Sequence, residues 1–182
     1  MNTTASITTS FPIDHKEMAD KLQAPFEADE LEWRIQQAGE SNGKYWAMVL
    51  AYVTNRAIMD RLDTIVGFAN WQNEFAPAPD GGVMCGLKLR IANDWIVKWD
   101  GAENTSIEKV KGGLSNSMKR AAVQWGIGRY LYKLETNFVT MTDQKPEDMS
   151  GYGVWFNKET KKRMYWKHPS LPVWALPIKD KK

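Results

Sequence analysis

The chain has 182 residues, 43% of them apolar, and 24 Lys and Arg against 22 Asp and Glu give a net charge of only +2. That is enough apolar length to bury a core in one domain of ordinary size, which excludes a disordered tail, and any cations that meet a polyanion must be gathered on one surface. A single cysteine, Cys85, excludes a disulfide framework and a cysteine-based zinc site, and His15 and His168 offer no metal-ligand spacing.

In chain order, MNTTASITTS at residues 1–10 is a flexible Ser/Thr-rich leader with neither a charged n-region nor an apolar run. No stretch is long and apolar enough for a membrane span, so the sequence predicts a soluble protein in a reducing compartment, with no membrane partner. Asp14 to Leu22 reads as a short helix stopped by Pro25. LEWRIQQAG and KYWAMVLAYV, on either side of the turn-prone ESNG at 40–43, read as a strand pair or as a strand approached by a turn. From Asn55 to Val66 the apolar residues Ile58, Leu62, Ile65 and Val66 recur at helical spacing and stop at Gly67. NWQNEFAPA, VMCGLKLRIA and DWIVKWDGA, separated by PAPDGG and ND, read as a three-strand meander. Thr105 and Glu108 form a capping box for a long helix, and VWFNKETKKRMYW near the C-terminus reads as a hairpin. The expected class is therefore α+β: an antiparallel meander packed against a long helix, with flanking short helices and a C-terminal hairpin. The organisation expected is a leader over 1–10, a core over 11–149, and a hairpin with a basic tail over 150–182.

The long helix is the most informative element. Ile107, Val110, Leu114, Met118, Ala121, Ala122 and Trp125 form one apolar stripe, and the opposite face carries Lys109, Gly112, Asn116, Lys119 and Arg120. That face reads as free of packing duty, either a set of solvated charges or a seat for an anionic backbone. Nine Trp, six Tyr and six Phe, 12% aromatic in all, are spread along the whole chain, which assigns most of them, Trp71 and Trp125 included, to core or subunit contact.

Two segments carry a resemblance. AYVTNRAIMDRLDTIVGFANWQNEF (51–75) and KVKGGLSNSMKRAAVQWGIGRYLY (109–132) resemble the conserved core of the single-strand annealing proteins of homologous recombination, the Rad52/22 family, in a short phage-type form. The likeness covers roughly residues 30–135 and includes a Tyr-x-x-x-Arg lead into a helix, Gly-aromatic-x-x-Trp at its exit, and Lys-Arg-Ala followed by aromatic-Gly. It implies an oligomeric ring or helix that binds single-stranded DNA in a basic groove and anneals complementary strands in recombination and double-strand break repair. It implies no ATP, cofactor or metal, no catalytic residue, a cytoplasmic setting in a phage-infected or prophage-carrying host, and a single-strand binding protein as a further partner. Matching positions for DNA contact are Arg34, Tyr52, Arg56, Lys119 and Arg120, with Asn116 beside them on the helix face. Where family members carry a further basic residue one turn beyond the Lys-Arg pair, this chain has Val123, and Arg129 is the candidate replacement. About fifty residues follow the matching region, so no counterpart of the recombinase-engaging C-terminal extension of eukaryotic members is expected.

Each position also has a plainer reading. Arg56 has the spacing to pair with Asp60 on one helix face, and Tyr52 reads equally as a core residue with its hydroxyl at the rim. Lys158, Lys161, Lys162, Arg163 and Lys167 are either a second DNA surface or a solvated turn. Two other classes compete. Glu159-Thr160-Lys161, with Asp143 or Asp148 upstream, has the form of a metal-dependent nuclease motif, although NKETKK reads as an exposed turn. The α+β order also permits a module for RNA or double strands, without an RNP-like aromatic motif in its strands.

Overall fold

In a computed structural model, residues 14–79, 81–103 and 109–178 are described. The described residues form three α-helices and eight strands: α1 (His15–Gln23), β1 (Leu31–Ser41), β2 (Lys44–Val53), α2 (Asn55–Ile65), β3 (Trp71–Pro77), β4 (Val83–Ile91), β5 (Asp94–Ala102), α3 (Lys109–Gln124), β6 (Asn137–Met141), β7 (Tyr152–Phe156) and β8 (Arg163–Lys167). All strand pairing is antiparallel, and the α+β class expected from the sequence is the class observed. The capping box at Thr105 and Glu108 and the leader over 1–10 lie outside the described residues.

Local chemistry fixes most boundaries. The Asp14 carboxylate accepts the Lys16 N–H and starts α1, and the Thr54 hydroxyl accepts the Ala57 N–H and starts α2. Asn42 and Gly43, with φ of 50° and 71°, make the two-residue turn between β1 and β2. At the end of α3 the Gly126 N–H bonds the Val123 carbonyl and the Ile127 N–H bonds that of Ala122, a Schellman closure that needs the left-handed φ of 92° at Gly126. A side chain there would also strike Gln23 of α1, 2.3 Å from a built Cβ.

The meander β3-β4-β5 forms one sheet, as expected, with α3 packed on β4 and β5. The sequence reading did not separate β1 and β2 into a sheet of their own, which β6 completes in the order β1-β2-β6. The larger core joins the three helices to the inner face of the meander through Phe26, Ile58, Leu62, Leu87, Leu89 and Ile127, all fully buried. The smaller core lies under one face of the β1-β2-β6 sheet, where Ala47, Val49 and Met141 meet Met164 and Trp166 of the β7-β8 hairpin. No helix among the described residues is long and apolar enough to cross a membrane.

Candidate nucleic-acid interface

Side chains alternate across a strand, so Glu32 and Arg34 of β1 share a face, and the register sets Glu32 opposite Tyr52 of β2. The smaller core takes the other face of this sheet. On the outward face, Arg34 Nη2 donates to Glu32 Oε1 at 2.9 Å, and Lys119, reaching across from α3, pairs with that same oxygen. The Arg34 guanidinium lies 5.8 Å and the Lys119 ammonium 5.9 Å from the centre of the Tyr52 ring. Three of the six candidate residues thus converge around one carboxylate, which the sequence reading did not single out.

Lys119 corrects an expectation. It belongs to the helix face read as free of packing duty, yet its side chain is only 11% exposed. Burial pulls its ammonium below the ordinary lysine range, and Arg34 adds to this, while the hydrogen bond and charge of Glu32 pull in the opposite direction. Burial is also the largest influence on Glu32, pushing it up, but Lys119 and Arg34 together outweigh it and hold the carboxyl below its usual range. The expected stripe is also shifted. Met118, Ala121 and Ala122 are buried as expected, but Gly113 and Ser117 are buried beside them, whereas Leu114 is half-buried. Small residues let α3 lie close to the meander.

Arg120 points elsewhere. Its Nε donates to Asp100 Oδ1 of β5 at 2.9 Å, with 53% of the arginine side chain exposed. Asn116, one turn earlier on α3, is half-buried. Arg56 is exposed in the first turn of α2 and, among the described residues, makes no ion pair with Asp60 or any other acid. Its neighbour Asn55 ties α2 to the centre of α3, donating Nδ2 to the Met118 sulfur at 3.7 Å, while Asn55 Oδ1 is buried without a partner. The first turn of α2 therefore meets α3 next to Lys119.

Other cations have structural duties. Arg129, the candidate replacement for a basic residue at Val123, donates Nε to the Val123 carbonyl at 2.9 Å and Nη2 to that of Gln124 at 2.8 Å. Lys98 also reaches the Gln124 carbonyl at 2.9 Å, so two cations meet the negative end of α3. Arg61 holds the carbonyls of Ala24 and Pro25 and stacks 3.3 Å from the centre of the Phe26 ring, fastening α1 to α2. Trp125 and Trp71 are half-buried and pack against the larger core, Trp125 donating to the Leu87 carbonyl at 3.0 Å and Trp71 to Asp63 at 2.6 Å, so of the core or subunit-contact role read for both the core side is observed. Cys85 is fully buried, and burial pushes its thiol up to about 11, well away from a nucleophile's range. Among the described residues no three His, Cys, Asp or Glu side chains are grouped to hold a metal ion.

The Rad52/22 family of double-strand break repair proteins, compared through its family model, matches residues 14–81 and 83–150. The chain belongs to this family. All six candidate contact residues fall within the Rad52/22 match, and the β7-β8 hairpin follows it. The chain is also 31% identical over 159 residues to the single-stranded DNA-binding protein DdrA of Deinococcus deserti, covering 86% of this chain and 69% of that protein. It is 31% identical over 161 residues to the DdrA protein of Deinococcus radiodurans, covering 86% of this chain and 66% of the relative. No solved structure matches the chain.

Proposed function

We propose that this chain binds single-stranded DNA through its phosphates and anneals complementary strands in recombination and double-strand break repair, without nucleotide or metal. The observation that carries the reading is the gathering of Arg34 and Lys119 around Tyr52, with exposed Arg56 at the first turn of α2 and exposed Arg120 on the same stretch of α3. Family membership, and two relatives named as single-stranded DNA-binding proteins, support it.

The chemistry suits annealing. A protein that pairs strands must neutralise and extend the backbone while leaving base edges free, which calls for Lys and Arg contacts to phosphate rather than base-reading side chains. Pairing is downhill once phosphate repulsion is relieved, because stacking contributes about 1.4 kcal/mol per step. In the proposed complex Arg34, Arg56, Lys119 and Arg120 hold phosphates, Asn116 donates to a phosphate oxygen, and Tyr52 keeps the two cations at their spacing. Glu32 and Asp100 occupy two of these cations in the free protein, so a phosphate must displace or share with each carboxylate. This makes a single subunit a weak binder, and many subunits on one strand compensate through effective concentration. A homo-oligomer, ring or helix, is therefore part of the proposed mechanism, and the partly exposed Trp95, Val97 and Trp99 of β5 offer apolar area for contact between copies.

The test is a fluorescence-quench annealing assay in EDTA without nucleotide, beside light scattering of the same sample. Annealing at full rate, by particles many times the 20.8 kDa chain mass, is expected. A requirement for ATP, or a fully active monomer, would overturn the mechanism.

A further inference from the structure

We infer that the outer face of the β7-β8 hairpin is a second surface for single-stranded DNA. The hairpin places its two faces in unlike surroundings. Trp155, Met164 and Trp166 turn inward to the smaller core. The cross-strand partners on the other face are Tyr152 with Lys167, Val154 with Tyr165, and Phe156 with Arg163. An aromatic ring thus stands opposite a cation at each end of the ribbon; Val154 and Phe156 are 52% and 48% exposed, Tyr152 is half-buried, and Tyr165 between them is buried.

The loop adds charge. Residues 152–167 hold five Lys and Arg against the single carboxylate of Glu159, in a chain whose total charge is +2, so the remainder of the molecule is net negative. Lys158, Lys161, Arg163 and Lys167 are exposed and, among the described residues, make no ion pair, while Lys162 lies 3.9 Å from Asp143 with both side chains open to solvent. The loop is also ordered by its own bonds. The side-chain carbonyl of the buried Asn157 accepts the Glu159 and Thr160 N–H groups at 2.9 and 3.2 Å, and the Asn157 N–H reaches the Lys162 carbonyl at 2.9 Å. This holds Lys161 at a left-handed φ of 57°.

An exposed ring, Phe156, and a half-buried one, Tyr152, set beside backbone-reaching cations suit single-stranded nucleic acid, since unpaired bases offer faces to stack while phosphates meet the charges. A duplex keeps its base faces internal, and an acidic peptide would leave the rings without partners. The hairpin packs under the face of the β1-β2-β6 sheet opposite to Glu32, Arg34 and Tyr52, so its outer surface is distinct from the Lys119 cluster. The choice of ligand rests on the single-strand reading above, whereas the location rests on the hairpin alone.

The test uses the full chain and an oligo(dT) probe containing 4-thiothymidine. Affinity is measured across a salt series for the wild type, for Lys158→Gln/Lys161→Gln/Arg163→Gln/Lys167→Gln together, and for Phe156→Ala, with unfolding midpoints as a check on folding. We expect the fourfold variant to bind about tenfold or more weakly at physiological salt, with a log–log salt slope smaller by up to about 3, since each phosphate contact on a single strand contributes roughly 0.7. Photo-adducts should map to Tyr152 or Phe156 in the wild type, and Phe156→Ala should lose those at its own position. Unchanged affinity and slope in a folded fourfold variant that still binds through the Lys119 cluster would overturn the hairpin site alone. Displacement of the probe from the hairpin by poly-glutamate as readily as by unlabelled oligo(dT) would also overturn it, in favour of an acidic protein partner. A wild type that binds no single strand at all removes both readings.

Discussion

Lys119 and Arg120 are adjacent in sequence, carry the same charge and reach from α3 to different elements, β1 and β5. Lys119 is nearly enclosed, shares Glu32 with Arg34 and lies over Tyr52, whereas Arg120 stands half in solvent against Asp100 on the edge strand β5. The contrast separates two duties that a helix-face pattern merges. A cation withdrawn from water is retained only if a carboxylate compensates it, so Lys119 binds the β1-β2 sheet to α3 as well as presenting charge. An arginine half in solvent on a partly buried acid contributes less to folding than the enclosed pair and is free to exchange its partner.

The largest effect that sharpens this contrast is Lys119→Ala. It leaves Glu32 partly desolvated with only Arg34 beside it, and should cost about 2–3 kcal/mol, below the range for fully buried pairs because a third of the glutamate side chain is exposed. Chemical denaturation should register the loss, and DNA binding should fall with it. Equal stability of the variant and the wild type would mean that the pair is a solvent-screened surface contact.

Next comes Glu32→Gln, which should destabilise the protein by about 1 kcal/mol at neutral pH. The sign follows from the lowered carboxyl: the stabilisation is present above the carboxyl's unfolded pKa and is lost as pH falls through the lower folded value. The gap between wild type and variant should therefore close in acid, measured as paired urea midpoints from pH 7 down to pH 3. A gap that stays constant would indicate lost packing rather than lost charge.

Asp100→Asn should change stability least, by less than about 0.5 kcal/mol, because the Arg120 of its pair is half in solvent and the amide keeps an oxygen to accept the Gly101 N–H. It should nevertheless tighten oligonucleotide binding several-fold, since the arginine no longer has to leave a carboxylate. Weaker binding would make Asp100 a positioning partner for Arg120 instead of a competitor.

Elements whose signals are local were legible in the sequence. The Asn-Gly turn between β1 and β2, the apolar spacing of α2, the two turns of the meander and the C-terminal hairpin each depend on neighbours a few residues away. β6 was missed because it is five residues long and gains its place by pairing with β2, far back along the chain. The proposed interface divides in the same way. Arg34, Tyr52 and Lys119 could be named from motif positions, but Glu32 meets Lys119 across 87 residues and Asp100 meets Arg120 across 20. One local hint existed, since Glu32 and Arg34 alternate on a strand and so share a face. The burial of Lys119 had none, because the edge of a helical stripe is covered or open according to what the β1-β2 sheet lays against it.

The account's central claim is that this face of α3 holds the phosphates of a single strand. The most direct measurement is the salt dependence of oligo(dT) binding by the wild type and by Arg120→Ala, a substitution that leaves the enclosed Lys119 pair in place. The account predicts a steep slope for the wild type, and for the variant several-fold weaker binding with a slope smaller by roughly 0.7, one phosphate contact. Identical affinity and slope in the two proteins would contradict it.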